Sequence, residues 1–312
     1  MKVQEIKYIF LFVLVFISFS TINAQEDKLQ KEITTKLNEI HKPTFKTRDS
    51  LTKIYKIISE KINYTSDTII RNNLFDKIYQ LNVLSYKNDS KELDNEFAFI
   101  SQFPSAKISL DILNYKVAKQ EVIEKFENFN ASFELLSFDL QNTPKGQQLK
   151  KQLVNLKNSS VGSKAPNFVV KEIRNTLVNL ASYKDKKYVL LSYGNTTSKS
   201  CLDENIFLKE IFQKYNDTGL EIINIIIDDN MEVIRKGINI QKIEKFKNVP
   251  LILNDDSLLE NYFVYSIPQK ILIDKNGIII NRWSGANKII KKEINLVLDG
   301  IFLNFKISDS EE

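Results

Sequence analysis

The pattern of hydrophobic and polar positions changes near residue 160 of this 312-residue chain. Before that point, apolar residues recur at intervals of three and four, which places them on one face of a helix. Two such runs are Leu51, Ile54, Ile57 and Ile58, and then Leu74, Ile78, Leu81 and Leu84. The spacing predicts an all-α domain over residues 25–157, without a catalytic constellation of its own.

After residue 160, short apolar runs alternate with amphipathic segments, an order typical of an α/β layer. Apolar residues on successive positions indicate strands that are covered on both faces. Asn276-Gly277 between two such runs predicts a β-hairpin, and Trp283 is expected to pack in the core or on the hairpin face. These patterns predict an α/β domain over residues 161–305, followed by an acidic tail over residues 306–312.

The first residues have the pattern of a secretory signal. A short basic start precedes the apolar run 8–19, and Ala24 is a small residue at a suitable cleavage position. The sequence therefore predicts a signal peptide over residues 1–24 and an exported protein that is soluble after cleavage; the family resemblance described below implies the periplasm or cell envelope of a bacterium. An uncleaved signal would be its only attachment to the membrane.

Composition excludes several kinds of chemistry. Lys and Arg number 44 and Asp and Glu 39, a net charge of +5 that is too small and too scattered to indicate nucleic acid. A single Cys and a single His exclude an intramolecular disulfide and a zinc site built from those residues. His41 precedes Pro43 in a polar stretch and is predicted to be an ordinary surface residue. Asp228 and Asp229 are interpreted as a solvated strand end, so no metal site and no cofactor are expected.

Three segments carry a family resemblance. They are residues 161–168 (VGSKAPNF), 176–191 (TLVNLASYKDKKYVLL) and 265–277 (YSIPQKILIDKNG). In this order and spacing they resemble the TlpA/ResA-like branch of the AhpC/TSA redoxin superfamily. The resemblance implies a thioredoxin fold, a central mixed sheet flanked by helices, after the helical domain. It also implies a cis peptide bond between Ile267 and Pro268 that faces the active loop.

The resemblance implies an active site that this chain does not complete. The family carries Cys-x-x-Cys at the start of a helix, where the helix N-terminus stabilises the attacking thiolate. When residues 198–201 are aligned with this motif, Ser198 replaces the attacking Cys and Cys201 stands at the position of the second Cys. Thr197 and Ser200 replace the usual aromatic residue and proline. Because resolution of a mixed disulfide needs a second thiol, a complete dithiol cycle is excluded.

Several interpretations of this departure stay open. The domain could bind proteins or extended peptide segments along a groove at Ser198, Ile267 and Pro268 without catalysis. It could be a monothiol peroxidase that uses Cys201, since peroxiredoxins carry Ser or Thr three residues before their reactive Cys. However, Gly194 stands where they carry Pro, and no Arg stands at the position of Pro268 or Gln269.

Cys201 has two further interpretations. An unpaired Cys in an exported protein could form an intermolecular disulfide, or it could be a small buried apolar side chain under the helix. Glu204, one turn later, is expected to cap or solvate the first turn rather than act as a base. The helical domain is expected to serve packing or to form a homodimer.

Overall fold

The computed structural model describes residues 3–252 and 257–303, with side chains from residue 27 onward except that of residue 120. The chain divides into two compact units, Met1–Lys150 and Lys151–Glu312. The predicted acidic tail lies outside the described residues, as do the side chains of the predicted signal peptide. Within the described part of the chain, no helix is both long enough and apolar enough to cross a membrane.

The first unit is helical. Its helices are α1 (Val3–Tyr64), α2 (Thr68–Gln102), α3 (Lys107–Lys116), α4 (Gln120–Glu124), α5 (Phe126–Leu135), α6 (Phe138–Gln141) and the start of α7 (Pro144–Asn158), within which the boundary along the chain falls. Asp67 caps α2 by accepting hydrogen bonds from the Ile69 and Ile70 amides at 2.8 and 3.0 Å. Contacts of His41 with Glu96 and of Arg48 with Asp89 and Glu92 show that α1 and α2 run antiparallel.

The helical periodicity is only partly matched by burial. The residues buried between α1 and α2 include Ile58, Ile62, Leu74 and Leu81. In contrast, Ile54, Ile57 and Leu84 are 44%, 53% and 50% exposed. A pair of helices covers a narrow stripe on each partner, so part of each apolar face stays in solvent.

The second unit contains a five-stranded sheet in the order β5-β4-β3-β6-β7. The strands are β3 (Tyr188–Gly194), β4 (Leu220–Asp228), β5 (Lys247–Ile252), β6 (Gln269–Ile273) and β7 (Ile279–Ser284), and a separate pair is formed by β1 (Val169–Lys171) and β2 (Leu177–Asn179). Strands β3, β4 and β5 are parallel, whereas β6 is antiparallel to β3 and β7. The helices are α8 (Lys199–Tyr215), α9 (Met231–Gln241), α10 (Ser257–Asn261) and α11 (Lys288–Phe302).

Both faces of the central sheet are buried, as the continuous apolar runs predict. In β4, Ile223 and Ile225 belong to the core on one face, and Ile222 and Ile226 belong to the core that α8, α9 and α11 cover. Trp283 is 7% exposed within that second core, which confirms its interpretation as a core aromatic.

The predicted hairpin is also confirmed, with Asn276 and Gly277 in the turn between β6 and β7. Gly277 has a φ of 81°, which a residue without Cβ adopts readily. The mixed sheet, its strand order and its flanking helices make this unit a thioredoxin fold, and an all-α region precedes it.

Candidate functional site

Ser198 and Cys201 meet at the first turn of α8. Ser198 is the N-cap residue, and its Oγ accepts a hydrogen bond from the Cys201 amide at 3.4 Å. Cys201 is a free thiol with 1% of its surface exposed. An ideal Cβ built on Gly194 would lie 3.5 Å from Cys201 Sγ, so the thiol packs directly over the end of β3.

The loop between β3 and α8 is fixed by side-chain carboxylate and amide groups. Asn195 Oδ1 accepts from the amides of Thr197 at 3.3 Å and Ser198 at 2.9 Å. Asp228 Oδ2 accepts from the Thr196 amide at 2.9 Å and from its hydroxyl at 2.7 Å. The interpretation of Asp228 as a solvated strand end is therefore wrong, because this half-buried carboxylate holds the loop.

Helix α9 holds the same loop from another side. A Cβ on Gly237 would lie 2.2 Å from Thr196 Cβ, so only glycine permits this approach. Gln241 Nε2 donates to the Thr196 carbonyl at 3.4 Å, and Gln241 Oε1 accepts from Asn205 of α8 at 2.5 Å. The loop before Ser198 is thus held by strand β4 and helix α9 together.

Pro268 lies at the same edge of the sheet as this loop. The Ile267–Pro268 peptide is cis, as predicted. Because Gln269 pairs with Tyr193, Pro268 stands beside Gly194, where the loop leaves β3. The Pro268 carbonyl accepts from the Gly285 amide at 2.8 Å.

The backbone of Ile267 is left without a partner. Among the described residues, neither its N–H nor its C=O takes part in a hydrogen bond. Ile267 is half-buried, and the preceding Ser266 is exposed. This short backbone edge is therefore accessible beside the Ser198 loop.

A buried ion pair lies behind Cys201. Lys270 Nζ is 2.7 Å from Glu204 Oε1, and the two side chains are 0% and 2% exposed. Lys270 also donates to the Gly285 carbonyl. The expectation that Glu204 caps or solvates the first turn is wrong, because this carboxylate is buried against a lysine from β6.

Burial dominates the electrostatics of this pair. It lowers the pKa of Lys270, and the Lys291 charge acts in the same direction, while Glu204 opposes the shift. The site therefore contains one hydroxyl, one buried thiol and one buried ion pair.

His41 in the first unit also departs from its prediction. Its side chain is 15% exposed, and its Nε2 lies 2.9 Å from Glu96 Oε1. The prediction of an ordinary surface residue is wrong because α1 continues through Pro43 and carries His41 against α2. His41, Glu92 and Glu96 form a cluster of potential metal ligands, the one such group within the part of the chain that the structure describes. The spacing of residues in the sequence did not reveal this cluster, because His41 stands 51 positions before Glu92 and 55 before Glu96.

Comparisons with known proteins bear on residues 161 onward. The model of the AhpC/TSA family matches residues 161–282. The thiol-disulfide oxidoreductase ResA of Bacillus thuringiensis is 30% identical over 125 residues, which cover 40% of this chain and 70% of that protein. ResA of Geobacillus thermodenitrificans is 29% identical over 145 residues, covering 46% and 78%.

Solved structures are similar over a comparable share of the chain. The thioredoxin domain of a thiol-disulfide oxidoreductase from Bacteroides vulgatus is 24% identical, with a TM-score of 0.40 over 44% of this chain and 97% of that one. On the strength of the ResA relatives and the family match, this chain belongs to the AhpC/TSA family, in its TlpA/ResA-like branch of thiol-disulfide oxidoreductases.

Proposed function

We propose that this protein is an exported, thioredoxin-like binding protein of the thiol-disulfide oxidoreductase family that has lost dithiol catalysis. The observation that carries the proposal is Ser198 at the N-cap of α8, where the attacking thiol of the family stands, with Cys201 as the single Cys. Export is supported by the signal pattern of residues 1–24.

The loss of catalysis follows from electron and thiol balance. Reduction of one substrate disulfide takes two electrons from two thiols, which become one disulfide in the enzyme. The first thiol attacks, and the second releases the substrate. Here the attacking position holds a hydroxyl, and Cys201 has no second thiol with which to form a disulfide.

The groove keeps the features that bind an extended chain. The unpaired N–H and C=O of Ile267 can pair with an extended segment by strand addition. The adjoining loop is fixed by Asp228 and α9, so little order has to be gained on binding. The bound class is therefore an extended protein segment that lies across Ser198 and Pro268.

The alternatives that use Cys201 have less support. A peroxidase or an intermolecular disulfide needs an accessible sulfur, whereas Cys201 is 1% exposed. Arg282 is held by the carbonyls of Ser159, Tyr262 and Phe263 rather than by the thiol. A role for Cys201 as a small buried side chain fits this packing best.

Insulin reduction tests the loss of catalysis. With dithiothreitol as electron donor, the full chain should reduce insulin disulfides no faster than a Cys201→Ser variant. A ResA protein with both thiols is the positive control. Turnover clearly above the Cys201→Ser background would overturn the proposal.

Ser198→Cys tests the alignment of the site. The new thiol lies one helical turn from Cys201, within the range that a disulfide bridges, and the helix N-terminus favours its thiolate. We expect an intramolecular disulfide after oxidation, with weak reductase activity because Thr197 and Ser200 replace other family residues. Mass spectrometry with and without alkylation measures the bond. Two thiols that stay alkylatable after oxidation would contradict the alignment.

Binding itself is tested with S-carboxymethylated insulin B chain, an extended polypeptide without a reactive thiol. In NMR titrations, the amide signals of Ile267 and Ser198 should shift, whereas those of the Asn276-Gly277 turn should not. Equal shifts at both places, or none at Ile267, would argue against the groove as the binding surface.

A further inference from the structure

A cavity in the helical unit has no part in the proposed function. It has a volume of about 520 Å³ and lies between α1, α2 and α3. Its lining carries five carboxylates against three ammonium or guanidinium groups, namely Asp89, Glu92, Glu96, Asp111 and Glu121 against Arg48, Lys116 and Lys119. This imbalance of charge makes the cavity favourable for a cation.

Three side chains at the cavity have the chemistry of metal ligands. One ligating atom each from His41, Glu92 and Glu96 lies within 4.8 Å of the others. Glu92 and Glu96 are four residues apart on one face of α2, and His41 reaches them from α1. One imidazole and two carboxylates suit Zn²⁺, and the open cavity leaves room for a water ligand.

Glu96 is the least satisfied member of this cluster. Its side chain is 3% exposed, and its Oε2 has no hydrogen-bond partner among the described residues. Lys116 Nζ is ion-paired with this Oε2 at 3.1 Å without forming a hydrogen bond, whereas the other oxygen, Oε1, lies 2.9 Å from His41 Nε2.

We propose that His41, Glu92 and Glu96 form a binding site for a divalent zinc ion, which exchanges with the ammonium group of Lys116. Lys116 Nζ lies 2.6 Å from Glu92 Oε1 and 3.1 Å from Glu96 Oε2, so it stands where the ion would bind. The ion brings two positive charges in place of one, and the flexible lysine side chain swings into the cavity.

Arg48 is suited to position the ligands. It donates to Glu92 Oε2 and to Asp89 Oδ1, both at 2.8 Å, and leaves Glu92 Oε1 for the cation. The Thr44 hydroxyl donates a hydrogen bond to the His41 carbonyl at 2.9 Å. The Thr44 carbonyl accepts one from the side chain of Asn88 on α2 at 3.1 Å. Such partners hold ligand side chains in place before the metal arrives.

The single histidine of the chain gives a direct test. Zn²⁺ is titrated into the full chain with a Cys201→Ser substitution, which removes the one thiol, and the imidazole signals are followed by NMR. We expect them to shift and saturate at one equivalent of zinc. Imidazole signals that do not move at saturating zinc would overturn the proposal.

Variants of the cluster test the exchange with Lys116. In competition with a chromogenic chelator, His41→Ala should weaken zinc binding by about tenfold or more. Lys116→Met, or Lys116→Gln where the former does not fold, should tighten it by about tenfold because the competing ammonium is gone. Lys36→Met, on the exposed face of α1, is the matched control. Equal affinity in His41→Ala, or zinc binding confined to the Lys116 variants, would overturn the proposal for the natural chain.

Discussion

The two units each bury a lysine, and the two lysines are held in opposite ways. Lys116 of the helical unit is 9% exposed and lies between Glu92 and Glu96. Lys270 of the thioredoxin-fold unit is fully buried and faces Glu204 alone. The pKa of Lys116 is raised by its two carboxylates, whereas burial lowers that of Lys270.

Both lysines lose contact with solvent, so the direction of each pKa shift depends on the number of opposite charges around the ammonium group. Desolvation favours the neutral amine at each site. At Lys116, the attraction of two carboxylates exceeds the effect of desolvation. At Lys270, the single carboxylate of Glu204 does not compensate for desolvation, and the charge of Lys291 adds repulsion. Lys116 therefore holds its proton firmly, and Lys270 gives it up more readily.

The largest expected effect is the loss of Lys116. Lys116→Met removes the buried cation that Glu92 and Glu96 share, and we expect the free energy of unfolding to fall by about 3–5 kcal/mol. Urea denaturation of the full chain measures it. Lys119→Met, an exposed residue of the same cavity, should change stability by less than about 0.5 kcal/mol. If Lys116→Met lowered the free energy of unfolding no more than Lys119→Met does, the contrast drawn between the two buried lysines would be wrong.

A smaller cost is expected at the other lysine. Lys270→Met should lower the free energy of unfolding by about 2–3 kcal/mol, because it leaves one buried carboxylate, that of Glu204, without its cation. Adding Glu204→Leu should recover most of this loss in the same urea experiment. A double variant that is no more stable than Lys270→Met would show that the pair acts through packing instead.

The opposite pKa shifts predict opposite responses to alkaline pH. The folded pKa of Lys270 lies below the ordinary 10.5, so the native state binds fewer protons there and its stability rises as the pH approaches 10.5. The contribution of Lys116 is fully present below 10.5 and is lost only as the pH rises through its higher folded pKa.

Unfolding free energies at several alkaline pH values measure this behaviour. The stability of the wild-type chain relative to Lys270→Met should increase as the pH rises toward 10.5. Relative to Lys116→Met, it should stay constant over that range. A decrease relative to Lys270→Met would reverse the sign of the inferred shift.

The smallest expected effect concerns Cys201. Cys201→Ala removes only a small buried side chain. We expect a loss of about 1 kcal/mol in unfolding free energy. A loss as large as that of Lys270→Met would show that the thiol contributes more than the packing of a small side chain.

Local patterns in the sequence predicted much of the second unit. The cis peptide at Pro268 was implied by the family resemblance of three segments taken together. The rest came from local patterns, since continuous apolar runs predicted the strands and Asn276-Gly277 predicted the hairpin. Each of these signals lies within a few neighbouring residues. Such signals need no knowledge of which distant residue stands opposite.

The burial of charged groups could not be predicted in that way. Glu204 and Lys270 are 66 positions apart, and His41 and Glu96 are 55 apart. A glutamate at the start of a helix has the same local pattern whether it faces water or a lysine on a strand. Only the tertiary packing distinguishes the two cases, so both the ion pair and the cavity cluster were missed.

The buried ammonium of Lys270 also links three separate segments of the second unit. It belongs to β6, pairs with Glu204 of α8 and donates to the carbonyl of Gly285, which follows β7. Any one segment that opens would leave a charge or a carbonyl unpaired in the interior. Native-state hydrogen exchange should therefore show the first turns of α8, the start of β6 and the end of β7 opening as one cooperative unit.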